Sequence, residues 1–334
     1  MQQSPPRQIT PARSDEGCSE LYGFLAVSLI AVPVIGFNLL LLLAFYLYPK
    51  YVGLFIILPY YSYILVLSRP ERKYSARWEW FSRYFPLLQI FRRYLRMNVI
   101  VNYKLKDAQS KEHAQFLFAV FPHGCNSDYR IALDGRLFDA LPNVARNVTS
   151  LAATVLFRIP LVRELALWTN CVDASRSVAD NLLHKGKSIL VLPGGQAEQI
   201  RTVYGREIVY LKKRKGFIKL AMTHGVPVVP GYVFGASDYF YTSSFALHFR
   251  LWLVKTFGIS IPLAFGQYFT PLCPRAVATT IVFGDPIRFE AKIDRQPSVE
   301  EVDQAHAQFC TALTCLFDHH KKEFGYGDRV LEIC

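Results

Sequence analysis

The sequence predicts an α/β fold, a mostly parallel sheet flanked by helices, preceded by an N-terminal membrane-embedded helical hairpin. Three observations carry that reading. Two uncharged apolar runs stand near the start, at 21–48 and 51–68. Beyond them, short wholly apolar runs alternate with segments of helical periodicity, the pattern of a parallel sheet covered on both faces. Charged residues make up only 19% of the 334 and hydrophobic ones 51%, with a mean hydropathy of +0.17. That balance excludes intrinsic disorder, a coiled coil and a nucleic-acid tail, and points toward lipid.

Along the chain, residues 1–20 read as a polar N-terminal tail. From Leu21 to Tyr48 there is no charge, and 28 helical residues at 1.5 Å each exceed a hydrocarbon core of ~30 Å. Only Pro49 and Lys50 separate this run from Tyr51–Ser68. So tight a joint predicts a hairpin over 21–68, or one long broken segment. Asp15, Glu16 and Glu20 upstream, and the length of the apolar run, argue against a cleaved signal peptide. Segment 69–106 then carries ten Lys/Arg against Glu71 and Glu79, a net +8 of the chain's +12. Trp78, Trp80, Phe81, Tyr84, Phe85, Phe91 and Tyr94 are interleaved with those charges. This is the makeup of a helix lying on an anionic bilayer, and the positive-inside rule places it in the cytosol. A phospholipid membrane is therefore the expected partner and nucleic acid is not. The sequon Asn147-Val148-Thr149 is expected to stay unglycosylated. Seven cysteines without a CxxC pair fit reduced, cytosol-facing thiols, with no disulfide framework and no zinc site.

Residues 107–334 read as the α/β domain. Strands are expected at Phe116–Phe121, Val148–Thr154, Ser188–Leu192, Val226–Phe234 and Thr279–Phe283. Helices are expected from Asp173 or Ser175 to His184, from Arg214 to His224 with Gly225 as its stop, and from Val299 to Phe324. Sheets of this kind bind ligands beyond the carboxyl ends of their strands. Two such ends are marked. Pro122-His123-Gly124 follows the FLFAVF strand, with Asp128 five residues after His123. An imidazole there can take a proton from an alcohol, and a carboxylate can fix its tautomer. Pro193-Gly194-Gly195 follows the next apolar strand, with Glu198 just beyond. Its glycines free backbone N–H groups for an oxyanion or phosphate. A third feature is the run Lys212, Lys213, Arg214, Lys215, Gly216, Phe217, Lys219, whose five cations suit phosphates. Cys125 is a weaker nucleophile candidate. No GxSxG or GxGxxG occurs, and His319-His320 are adjacent rather than at metal-pair spacing.

Tyr84-Phe85-Pro86, Pro122-His123-Gly124, Gly194-Gly195 with Glu198, and the stretch from Arg214 through Gly216-Phe217, Ala221, Gly225, Val229-Pro230 and Phe234-Gly235 together resemble the type 2 diacylglycerol acyltransferase family. That family also holds monoacylglycerol acyltransferases and some wax synthases. FGDPI and EFG near the C-terminus are similar too. Two departures stand out: Phe121 replaces the first His of the family's HPHG block, and Ala236 replaces the acid that commonly follows FG.

The resemblance implies a membrane-bound acyltransferase that moves an acyl group from acyl-CoA to diacylglycerol. It needs no cofactor beyond acyl-CoA as co-substrate, and no metal. It implies His123 as general base, with Glu198 favoured and Asp128 second as the ring's partner. Gly124, Gly194 and Gly195 serve the oxyanion or acyl-CoA, and Arg214, Lys215 and Gly216 the CoA phosphates. The acceptor is expected to reach a pocket near Phe240–Phe269. Monoacylglycerol or a fatty alcohol is the alternative acceptor; a non-catalytic lipid-droplet or lipid-transfer protein is the alternative class. The implied location is the endoplasmic reticulum membrane, domain facing the cytosol, or the lipid droplet surface. An oligomer stays open.

Overall fold

In the computed structural model, residues 19–73, 76–109, 114–258, 260–291 and 295–334 are described, so nearly all of the polar tail lies outside them. The first apolar run is one helix, Glu20–Leu47, whose N-cap Ser19 accepts from the Tyr22 amide at 3.3 Å. A second helical stretch, 49–67, alternates α-helical turns (Pro49–Val52, Leu58–Ser62) with π-helical ones (Gly53–Ile57, Tyr63–Leu67). It folds back beside the first. Asn38 Nδ2 reaches Pro160 O at 3.0 Å and Tyr61 OH reaches Arg158 O at 2.9 Å, so both arms meet one short loop. Both are long and apolar enough to cross a membrane, and few of their residues are buried in the protein. Leu40, Tyr46, Phe55 and Val66 are among many large apolar side chains left exposed. Such a surface is stable only against lipid or another apolar partner.

A seven-stranded sheet forms the centre. Its strands are β1 (Asn98–Val101), β2 (Leu117–Phe121), β3 (Val148–Ala152), β4 (Cys171–Asp173), β5 (Ser188–Val191), β7 (Val228–Phe234) and β10 (Thr280–Phe283). The order is β1-β10-β7-β2-β5-β3-β4, and β10 against β7 is its antiparallel pair. β6 (Glu207–Val209) pairs in parallel with β11 (Leu331–Ile333), and β8 (Tyr241–Thr242) pairs with β9 (Ala264–Phe265). β2 shows why its apolar run is unbroken. Phe118 and Val120 enter one core layer while Leu117, Ala119 and Phe121 enter the other, so both faces are covered. One cover is the Val299–His320 helix, whose Phe309 and Phe317 pack on Phe217, Tyr232 and Phe234.

Three expectations are corrected here. The last helix stops at His320, not Phe324, and the helix after the basic run begins at Gly216, leaving Arg214 in the preceding turn. Segment 69–106 is not one surface helix. Its described residues hold the short helices Pro70–Lys73, Glu79–Tyr84 and Pro86–Tyr94, then β1, which joins the sheet edge, and the start of the Tyr103–Gln109 helix. Its charges divide accordingly. Trp78, Trp80 and Tyr84 are exposed, but Arg92 is buried, donating to Ala132 O and Arg83 O (2.9 Å each) and to Ser82 O. Those carbonyls, rather than lipid, take up this cation. The sequon's Val148 and Thr149 are buried in β3, while Asn147 is half-buried and donates from Nδ2 to Gly186 O at 2.7 Å.

Candidate active site

Adjacent parallel strands bring the two marked loops together, because β2 and β5 pair with Ala119 opposite Val191 and both end at the same edge. After β2 the Phe121–Pro122 bond is cis and Gly124 takes φ +66°, turning the chain back so that His123 stands at the strand end. Tyr129 OH pins this turn, donating to Pro122 O at 2.8 Å. After β5, Gly195 at φ +53° opens the Gly195–Arg201 helix, whose first turn carries Glu198. A Cβ on Gly194 would overlap the Glu198 carboxylate, so only glycine lets that side chain tuck back against the loop.

Glu198 is 1% exposed and bridges two backbone segments. Oε1 accepts from the His123 amide, and Oε2 accepts from the Tyr210 amide at 2.7 Å. Burial pushes its carboxyl up to about 7, opposed by those two amides and by Arg214. The acid therefore holds the peptide that carries His123, not the ring. The ring has another partner: Nδ1 lies 3.0 Å from Gly124 O. A carbonyl can only accept, so the proton belongs on Nδ1 and Nε2 keeps its lone pair. Burial holds the imidazole below its usual range, opposed by the Gly124 carbonyl.

Asp128 begins the Asp128–Ala140 helix. Its Oδ2 is buried without a partner, and burial pushes its carboxyl up to about 7. Cys125 is buried, and burial, with Asp128 adding to it, pushes the thiol up to about 12, which removes it as a nucleophile near neutrality. Of the basic run, Arg214 reaches the site, donating to Gly194 O at 3.3 Å, with its guanidinium over the Tyr210 ring. Lys215 turns away to Asp303 at 2.6 Å. Gly216 begins its helix beside open space. The Gly195 amide donates to Leu192 O at 3.1 Å, so that amide is engaged within the turn.

An apolar cavity of about 360 Å³ lies between the first apolar helix and the α/β domain. Val27, Ala31 and Val34 of that helix form one wall, Leu156 and Leu165 another, and Asn126, Ser127 and Asp128 bring polar groups to it. The sequence points to Phe240–Phe269 for an acceptor, and none of those residues lines this cavity. The 240–269 segment instead presents an exposed aromatic surface, with Phe245, Phe249, Trp252 and Phe269, and only Leu272 beyond it lines the cavity. Sequence reasoning also missed Tyr210, which acts through its amide and leaves no side-chain signal. Among the described residues, no group of three or more His, Cys, Asp or Glu is placed to hold a metal.

An imidazole at a strand end, an apolar cavity reaching Asp128 and an apolar hairpin on an α/β sheet together suit a class of enzyme acting on apolar substrates. Comparison with known proteins specifies it. Residues 45–333 match the diacylglycerol acyltransferase family, and the chain belongs to that family. It is 28% identical over 295 residues to diacylglycerol O-acyltransferase 2 of Bos taurus, covering 82% of this chain and 78% of that one. It is 31% identical over 264 residues to acyl-CoA wax alcohol acyltransferase 2 of Homo sapiens, covering 75% and 74%. The crystal structure of the 1-acyl-sn-glycerophosphate acyltransferase PlsC of Thermotoga maritima aligns over 83% of this chain and 93% of that one, with TM-score 0.37 and 19% identity.

Proposed function

We propose that the protein is a membrane-anchored acyltransferase that moves an acyl group from acyl-CoA to the free hydroxyl of diacylglycerol, releasing triacylglycerol and CoA. The observation that carries this reading is the apolar cavity walled by the first apolar helix and reaching Asp128, five residues from His123. An apolar acceptor enters from the bilayer along that helix, while acyl-CoA arrives from the cytosol.

His123 Nε2 accepts the hydroxyl proton as the acceptor oxygen bonds to the thioester carbonyl carbon. The Gly194 amide and the turn around it donate to the oxyanion, an interaction of about 3–4 kcal/mol in enzymes of similar design. The C–S bond then breaks, and the imidazolium returns its proton to the CoA sulfur. Gly124 O holds the ring tautomer throughout, and Glu198 holds the loop. The unpartnered Asp128 Oδ2 is available to the acceptor hydroxyl or to the imidazolium. Arg214 is the cation of the basic run nearest the site, and so the one suited to CoA phosphates. The hairpin and the exposed 240–269 surface support membrane attachment, with the endoplasmic reticulum and its lipid droplets as the fitting locations.

A fatty-alcohol acceptor is the second reading, favoured by the 31% identity to a wax alcohol acyltransferase. Detergent-solubilised protein given labelled acyl-CoA with diacylglycerol, monoacylglycerol and fatty alcohol in competition decides between them. Triacylglycerol as the main labelled product, lost in His123→Ala, is expected. Product from the alcohol alone would replace the acceptor, and full turnover in His123→Ala would overturn the base.

A further inference from the structure

A second pocket sits at the opposite edge of the sheet. Val148 and Thr149 open β3, Asn170 precedes β4 and Lys187 precedes β5, and all four line it. The chain from Lys187 to Gly194 runs roughly 20 Å along the sheet, so this pocket is separate from His123. It encloses about 270 Å³. Its cations come from four segments: Lys73, Arg77, Arg146, and the pair Lys185 and Lys187.

Arg77 is already committed, to both Asp134 oxygens and to Ala145 O at 3.0 Å. Asp134, the acid behind the wall, is thereby neutralised, and Asn170 Nδ2 also lies 3.5 Å from it. The side chains of Lys73, Arg146, Lys185 and Lys187 are exposed and form no ion pair among the described residues. No carboxylate lines the pocket. Nearby acceptors are also taken: Gln115 Nε2 donates to Leu183 O and Lys187 O at 2.8 and 2.9 Å, and Asn147 Nδ2 to Gly186 O at 2.7 Å. Lys185 can be explained by the carboxyl end of the Arg176–His184 helix, where a cation is favoured. That account does not reach Lys73, Arg146 or Lys187. Four unpaired cations converging on a concavity without an acid repel one another, and an anion relieves that repulsion.

We propose that this pocket binds a phosphate group, and that its source is the headgroup of an anionic phospholipid. Lys73 ends the Pro70–Lys73 turn that closely follows the second apolar stretch, so the pocket is tied to the part of the chain that meets the bilayer. The bound phosphate would fix the domain against the membrane from the side opposite the chemistry.

The test uses full-length protein in phosphatidylcholine nanodiscs, titrated calorimetrically with short-chain phosphatidic acid and, separately, with inorganic phosphate. Saturable phosphatidic acid binding, weakened about tenfold or more in Lys185→Glu/Lys187→Glu and in Arg146→Glu, is expected. Phosphate binding of equal strength with the same loss would keep the site and overturn the lipid source. No saturation, or equal binding by wild type and variants, would overturn the site. Lys185→Gln/Lys187→Gln serves if charge reversal unfolds the chain, and unchanged acyl transfer in pure phosphatidylcholine confirms that the variants remain intact. Binding is read without turnover, so its failure is distinct from failure of the acyltransferase reading.

Discussion

Replacing Glu198 by Gln tests whether the acid holds the His123 loop or the His123 ring. The carboxylate accepts two amide hydrogen bonds from inside the protein, one from His123 and one from Tyr210. Glutamine offers one oxygen, so its NH2 group must face the other amide. That removes one charge-assisted bond, worth about 1.5–3 kcal/mol, and leaves a buried N–H unpaired at about 1–3 kcal/mol more. Relief from burying a carboxyl already pushed up to about 7 offsets part of this, so the chain should still fold. The strain falls on the 122–124 turn. A shift of about 1 Å in a reacting group costs on the order of a hundredfold in rate. We therefore expect kcat for CoA release to fall about a hundredfold, with KM for acyl-CoA changed by less than about threefold. The acid limb of the pH profile should stay in place, because Gly124 O sets the ring tautomer. Wild-type kcat in Glu198→Gln would refute the clamp. A displaced acid limb would show instead that Glu198 titrates with the ring.

Other perturbations follow from the same geometry. His123→Ala should lower kcat by about 10²–10⁴-fold with an unchanged melting temperature, since the ring's hydrogen bond is to its own neighbour's carbonyl. Ala31→Phe, on the cavity wall, should raise KM for long-chain acceptors while leaving KM for acyl-CoA unchanged; equal effects on both would remove the cavity from the acceptor path. Glu198 and Asp128 both have carboxyls raised to about 7 in the folded chain, so the native state binds more protons than the unfolded one between about pH 4 and 7. Their contribution is present in acid and is lost as pH rises through that window. Melting temperature should thus be lower at pH 8 than at pH 5, less so in Asp128→Asn, and a rise instead would contradict the assignment. Gly23→Leu should detach the first apolar helix from the domain, because a Cβ there overlaps the Tyr94 ring. About 1–3 kcal/mol of overpacking would appear as faster proteolysis between hairpin and domain.

How much of this was legible beforehand depended on whether a residue acts through its side chain or its backbone. The strands β2, β5 and β7 were readable because burial on both faces leaves unbroken apolar runs. β4, β6 and β11 are three residues each, too short for any period to register. The Asp128–Ala140 helix was hidden by its own inward face. There Asp134 is buried against Arg77, and Gly135 is covered by Arg92, so the apolar periodicity is broken where packing is tightest. His123 and Gly194 lie just after strands, as read, with Glu198 in the first helical turn beyond, but the hydrogen bonding between them was not legible. Glu198 was expected on the imidazole and is found on two amides, and a sequence carries no mark of which amide a carboxylate will meet. The cavity shows the same limit at a larger scale. Its walls come from Val27–Val34, Leu156 and Leu165, segments that only the return of the chain over the sheet brings together. The consequence is functional. A helix apolar enough to cross a bilayer also forms a wall of the cavity that reaches Asp128, so under the proposed function one element would both anchor the protein and admit its acceptor. On that proposal truncating the helix removes anchoring and acceptor selection together, whereas a substitution on its inward face, such as Ala31→Phe, is expected to change acceptor selection and leave anchoring in place.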